Sequence, residues 1–312
     1  MQSIKPTFSE LFDQTIEFPD PDMQDRYQAL VGLDEIQTRL RKMLGILVNS
    51  DGISSWVKKN HPKATKAVDL VQRRPPLIIL AGDVGSGKSE LAYTIGDAVA
   101  KQEKIDVTLY PLSLSTRGQG MVGQMTQLVS AAFDYTLVAA KKLKSESGKS
   151  KGAIILLVDE ADALAQSREN NQMHHEDKAG VNAFIRGVDA LGNGKYPAAV
   201  IMCTNRPNAL DPAIRRRAAE IFIFNRPNDL QREAVLKPAL EELGVSNKAL
   251  EEVVKLTGAT EDRGYGFTYS DLMQRLLPSI ILEAYPDKKV DDKMVIEVTK
   301  SIVPTSPFKE TE

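Results

Sequence analysis

The stretch Gly82-Asp83-Val84-Gly85-Ser86-Gly87-Lys88-Ser89 decides how the rest of the chain is read. Glycines at 82, 85 and 87 let the main chain wrap around an oxyanion with its N–H groups turned inward, a conformation that bulkier residues obstruct. Lys88 supplies charge for the β- and γ-phosphates and Ser89 a hydroxyl for Mg²⁺. A helix starting near Lys88 directs the positive end of its dipole at the same place. Val84 and Ser86 complete the loop and Glu90 follows it, so these residues are counted with the cofactor-binding set. The fixed positions of this pattern recur by chance in roughly one chain in a hundred of this length, so the flanks have to agree with it. They do: Pro75 to Ala81 reads as a buried strand, and Ser89 to Ala100 carries apolar residues at helical spacing. The expected ligand is a nucleoside triphosphate.

Downstream, the apolar run Ala153 to Val158 ends in Asp159-Glu160, at the carboxyl edge where open α/β sheets place their ligands. Asp159 is expected to hold Mg²⁺ or its water shell together with Ser89, and Glu160 to polarise the water that attacks the γ-phosphate. Alone, two such acids would serve equally as a charge pair at a helix N-terminus. Beside a phosphate loop they indicate hydrolysis. The next strand, Ala199 to Cys203, ends in Thr204-Asn205-Arg206-Pro207, which puts the amide of Asn205 at the same edge, able to bond the attacking water or the γ-phosphate. Cys203, within the strand, reads as a core thiol rather than a nucleophile. Leu210 to Arg217 reads as a capped short helix ending in Arg215-Arg216-Arg217, for which one chain has no evident need. A natural use is for Arg216 or Arg217 to reach a phosphate held by a neighbouring copy; the alternative is a solvated basic turn.

The 312 residues, 42% hydrophobic, allow one large domain or two modest ones. With 40 basic against 42 acidic side chains, no global field draws the chain to nucleic acid or to a membrane surface. A single cysteine excludes an intrachain disulfide framework and suits a reducing compartment; apolar runs such as Ile154 to Val158 are strand-sized. A soluble, cytoplasmic protein is expected. Residues 1–28 read as an extended N-terminal arm and 29–226 as a large α/β domain, with a five-stranded parallel sheet flanked by helices. A helical pattern runs from Val31 to Leu47, and a polar, lysine-rich connection leads to the first strand. Beyond Pro227 strand signals stop, so 227–312 reads as a small helical lid domain with helices at 228–243, 247–257, 269–285 and 291–302. The charged segment Lys141 to Lys151 is a solvated loop, and His174-His175 lacks further ligands at the spacing a metal site needs.

Taken in order, the phosphate loop, Asp159-Glu160, Thr204-Asn205, the arginines after Leu210-Asp211-Pro212 and the terminal helical domain resemble an AAA+ ATPase of the protein-remodelling branch. The likeness runs from about Tyr27 to Val303. It implies ATP and Mg²⁺ as cofactors, a homo-oligomeric ring, expected to be a hexamer, and nucleotide between subunits. By the same likeness Val31 and Gly32 lie against the adenine base. Gly266 to Leu272 resembles the start of the second-sensor helix, where no arginine sits clearly at the sensor position and Arg275 is the nearest. Gly118-Gln119-Gly120-Met121-Val122-Gly123 is similar to the first pore loop, with Met121 and Val122 where remodellers present an aromatic and an aliphatic side chain; a flexible thioether grips varied side chains. Gln166 to Gly180 would form a second pore loop. Arg217-Ala218, where most of the branch has Phe after the finger arginine, and Val181 to Ile185 resemble the pachytene-checkpoint ATPases, which remodel HORMA-domain proteins. Bacterial members of that group accompany HORMA proteins and nucleotide-signal synthases in antiphage defence. Their eukaryotic counterparts carry an N-terminal adaptor-binding domain, so the resemblance implies a short bacterial-type form. A nucleic-acid motor or loader shares the nucleotide chemistry, but near-neutral charge and a pore loop without lysine or aromatic clusters disfavour it. An ATP-dependent switch or scaffold that does not thread its partner is the other alternative. A P-loop kinase would leave the arginines and the helical domain without purpose.

Overall fold

The computed structural model describes residues 6–12, 14–113, 124–145, 150–162, 175–192, 195–208 and 210–308. Met121 and Val122, and residues 166–174 of the expected second pore loop, lie outside them. The described chain forms two compact units, one comprising residues of Met1–Ala29, Glu35–Ala81 and Ser89–Ile223, the other Leu30–Asp34, Gly82–Lys88 and residues of Phe224–Glu312.

In the first unit the N-terminal elements are α1 (Phe8–Leu11), β1 (Ile16–Phe18), α2 (Pro21–Gln28), α3 (Asp34–Val48), α4 (Ser50–Asn60) and α5 (Thr65–Gln72). The sheet continues with β2 (Leu77–Gly82), β3 (Asp106–Ser113), β4 (Gly152–Asp159), β5 (Ala198–Thr204) and β6 (Ala218–Phe224), in the spatial order β1-β3-β4-β5-β2-β6. The run β3-β4-β5-β2 is parallel, with Asp106 opposite Gly152, Ile154 opposite Ala198 and Leu77 opposite Val200. Parallel neighbours need long crossovers, and α6 (Lys88–Glu103), α7 (Gln124–Leu143), α8 (His175–Leu191) and the short α9 (Pro212–Arg215) lie in the connections. Ile154, Leu156 and Val158 of β4 enter one core with Ala132 and Phe133 of α7 and Val181, Phe184 and Val188 of α8. Ile155 and Leu157 face the other way and are as fully buried. Burial on both faces is why these strands read as continuous apolar runs rather than alternating ones.

Two expectations are corrected here. Among the described residues the sheet has six strands rather than five, because residues 14–28 carry a strand and a helix and are not an extended arm. Ile16 and Phe18 of β1 pair antiparallel with Leu109 and Val107 of β3. Leu11 and Phe12 are buried in the core, and the Phe8 ring meets Tyr110 at 5.2 Å and Tyr135 at 5.6 Å. A four-residue helix and a three-residue strand are too short to show a period, so only their tertiary partners reveal them. The connection after α3 likewise carries the helices α4 and α5. No described helix is long and apolar enough to cross a membrane.

The second unit is helical: α10 (Asp229–Glu242), α11 (Asn247–Leu256), a π-helical turn Asp271–Leu276 that continues into α12 (Leu277–Ala284), and α13 (Asp292–Ser301). Leu236, Leu240, Leu250, Val253, Phe267, Leu272, Leu276, Ile280 and Val295 form its core. The helix starts are written locally: Asn228 and Gln231 make a reciprocal capping box, and Ser246 and Asp291 cap α11 and α13.

Phe18 is 2% exposed, and its ring lies where a Cβ on Gly96 of α6 would come within 2.2 Å. Emptying such a site costs about 3–5 kcal/mol, so Phe18→Ala is expected to lower the melting temperature by roughly 6 °C or more. An unchanged thermal melt would show that β1 adds nothing to the fold.

Candidate active site

β2 ends at Gly82 and α6 opens at Lys88, so the intervening loop must reverse within a few residues. Gly85 has φ +72°, and a Cβ there would lie 2.8 Å from Thr268 Oγ1 and 2.9 Å from Ser270 Cβ. Only glycine satisfies both the dihedral and the space. The Ser270 N–H donates to the Gly85 carbonyl at 3.2 Å. Lys88 Nζ donates to the carbonyls of Gly82 (3.0 Å) and Asp83 (2.7 Å) and lies 3.4 Å from Ser86 Oγ. The ammonium is thus folded onto its own loop and buried with Ser86. Gln231 Nε2 donates to the Gly32 carbonyl at 2.8 Å, Val31 packs on the helical core, and Leu33 Cδ1 would lie 3.3 Å from a Cβ on Gly87. Every residue named here from 30–34 and 82–88 belongs to the helical unit.

In the α/β unit, Ser89 Oγ donates to Asp159 Oδ1 at 3.0 Å, which joins the first turn of α6 to the end of β4. Asp159 Oδ1 also accepts the Glu160 N–H at 2.9 Å. Glu160 has φ +51°, a left-handed conformation uncommon for a side-chain-bearing residue, and its carboxylate is exposed. Such backbone strain is characteristic of functional sites. Asp162 organises the neighbouring strand end: its Oδ1 accepts Thr204 Oγ1 (2.9 Å) and the Asn205 N–H (2.7 Å), and its Oδ2 accepts Asn205 Nδ2 (3.0 Å). One amide hydrogen of Asn205 is therefore committed, and the rotamer and amide orientation are set by a carboxylate that can only accept. Tyr93 of α6 is half-buried near the same acids; burial first, then the charge of Asp159, raises its pKa and keeps the phenol protonated.

Other expected site residues have partners elsewhere. Glu90 takes a two-pronged bond from Arg26 of α2, at 2.8 Å on each oxygen. Arg217 makes a comparable fork to Asp189 of α8 at 2.7 and 2.9 Å and also donates to the Ala213 carbonyl, so the expectation that one chain has no need of these arginines is corrected for this one. Arg216 is exposed, with a long 3.4 Å bond to the Pro212 carbonyl. Arg275 bonds Asp271 at 2.8 Å, beside Thr268 and Thr305. Burial alone would raise the Asp271 carboxyl, but the donors from Thr268, Thr305 and Arg275 hold it below its ordinary value. Asp162 and Tyr93 were not expected at the site. Asp162 stands visibly after the acid pair, but nothing local indicates its bonds to residues 42 and 43 positions away.

The chemistry of these groups fits a magnesium nucleotide. Ser89 and Asp159 offer hard oxygen donors already in contact, and Lys88 with the loop's N–H groups complements phosphate.

The family model for the ATPase family associated with various cellular activities (AAA) matches residues 78–226. CD-NTase-associated protein 6 of Escherichia coli (strain MS 115-1) is 62% identical over 306 residues, covering 98% of this chain and 98% of that protein. Among solved structures, a chain of the E. coli MS115-1 HORMA:CdnC:Trip13 complex matches with TM-score 0.90 and 61% identity, over 98% of this chain and 100% of that one. Rhizobiales Trip13 matches with TM-score 0.74 and 52% identity, over 95% and 100%. With an acid pair and an oriented asparagine at one sheet edge, a phosphate-loop sequence before α6, and relatives this similar along nearly the whole length, the chain belongs to the AAA ATPases and, among them, to the family of CD-NTase-associated protein 6 and Trip13.

Proposed function

We propose that this ATPase works as a ring, a hexamer, in the bacterial cytoplasm, and spends ATP on unfolding or resetting a HORMA-domain protein that acts with a nucleotide-signal synthase in antiphage defence. The observation that carries the substrate is the 61% identity, along its whole length, to the Trip13 chain solved together with HORMA and CdnC. The hydrolytic roles rest on the geometry. The loop Gly82 to Ser89 binds the polyphosphate, and Lys88 exchanges its carbonyl partners for phosphate oxygens. Mg²⁺, held by Ser89 and Asp159, would neutralise phosphate charge when bound. Glu160, free of the helix geometry and exposed at the strand end, polarises the attacking water. Asn205, oriented by Asp162, bonds that water or the γ-phosphate.

Arg216 is the better-placed finger for a neighbour's nucleotide, since Arg217 is engaged by Asp189 within its own chain. Head-to-tail contacts of this kind close into rings. Val31 and Gly32, held in the helical unit by its core and by Gln231, face the base. Met121 and Val122 grip the substrate chain in the ring's pore.

Glu160→Gln is expected to bind ATP, lose turnover and retain a bound HORMA-domain protein through size-exclusion chromatography; rapid hydrolysis would remove Glu160 from its role, and activation by single-stranded DNA instead of protein would favour a nucleic-acid motor. Asp162→Asn sets an amide donor against Asn205 Nδ2 and should lower kcat by about tenfold to a hundredfold with KM little changed. An unaltered kcat in a folded variant would show that Asp162 does not position Asn205. Met121→Ala should abolish substrate remodelling, so that the substrate keeps its native fluorescence, while basal ATPase persists; intact remodelling would favour a switch or scaffold that does not thread.

A further inference from the structure

The phosphate loop contains one acid, Asp83, and a carboxylate there carries the same sign as the polyphosphate that the loop binds. Arg226, just after β6, answers it. Its Nε donates to Asp83 Oδ2 at 2.7 Å, and Nη2 lies 2.5 Å from the same oxygen. Both side chains are largely buried, 13% exposed for the arginine and 17% for the acid. The guanidinium is fixed from two further sides: Nη1 donates to the Gly266 carbonyl at 2.5 Å, and the plane lies 4.9 Å from the centroid of the Tyr265 ring. All four residues belong to the helical unit.

Asp83 cannot simply turn away. Its Oδ1 accepts the Val84 N–H at 2.9 Å and its main-chain carbonyl accepts Lys88 Nζ, so its position is tied to the shape of the loop and to the lysine. A poorly hydrated carboxylate next to a phosphate site repels the ligand unless a cation accompanies it. Arg275, the arginine nearest the expected sensor position, is occupied by Asp271.

We propose that Arg226 is a positioning residue of the nucleotide site, which cancels the charge of Asp83 and holds the phosphate loop in the form that accepts a polyphosphate. It acts through Asp83, with no contact to nucleotide required. The proposal rests on the reading that residues 82–89 hold the polyphosphate.

Calorimetric titration of a non-hydrolysable ATP analogue, ADP and AMP into the wild type, Arg226→Gln, Asp83→Asn and the double variant tests it. Arg226→Gln should raise Kd for the triphosphate about tenfold or more, less for ADP and least for AMP, with the loss shrinking as salt is raised. Asp83→Asn, which keeps the acceptor for the Val84 N–H and removes the like charge, should tighten triphosphate binding. Adding it to Arg226→Gln should return Kd to within about threefold of the wild type. A loss equal for all three nucleotides and unrelieved by Asp83→Asn would overturn the proposal, as would Asp83→Asn alone weakening triphosphate binding tenfold. A folded wild type that binds none of the nucleotides would overturn the reading of the loop itself.

Discussion

The hydrogen bond from Ser89 to Asp159 is the contact on which the catalytic edge depends. It spans 70 residues of sequence and joins the first turn of α6 to the last residue of β4. It forms because β2, β5 and β4 run parallel with β5 between the other two, so their carboxyl ends emerge on one edge. In an antiparallel sheet β5 would run against both of its neighbours, and Asn205 at its carboxyl end would be carried to the edge opposite the acid pair. Parallel pairing in turn demands helical crossovers and burial of both faces, which the apolar runs in β2, β4 and β5 supply.

Like charge is the second constraint. Asp159, Glu160 and Asp162 stand within four positions, and each is treated differently. Asp159 accepts from Ser89 and from the main chain, Glu160 is turned out by its left-handed backbone, and Asp162 is consumed by Thr204 and Asn205. Environment gives three chemically similar acids three separate tasks. The same economy appears among the arginines. Arg26, Arg217 and Arg226 each fork onto one carboxylate of their own chain, whereas Arg216 stays exposed. Near-zero net charge therefore conceals strongly local pairing.

The helical unit is more than a lid in composition, because the phosphate loop packs within it. Gly85 touches Thr268 and Ser270, Asp83 meets Arg226, and Gly32 bonds Gln231. The phosphate-loop residues 82–88 and those proposed near the base thus belong to the same unit as α10 to α13, with Val31 packed on its core, while Ser89, Asp159 and Glu160 belong to the α/β unit. Chain continuity between Lys88 and Ser89 links the two sets.

The sequence by itself determined the nucleotide chemistry and the class of fold. Glycine spacing, Lys88-Ser89, the acids after Val158 and Asn205 after β5 are local patterns, and local patterns survive in one dimension because backbone geometry and strand ends are set by adjacent residues. The long helices and buried strands were legible for the same reason. Only the tertiary structure decided that residues 16–18 complete the sheet, that Asp162 orients Asn205, that Arg217 is engaged by Asp189 and that Arg226 answers Asp83. These are pairings between single side chains or very short segments far apart in sequence, and no period, cap or spacing encodes which distant partner a lone charge will find.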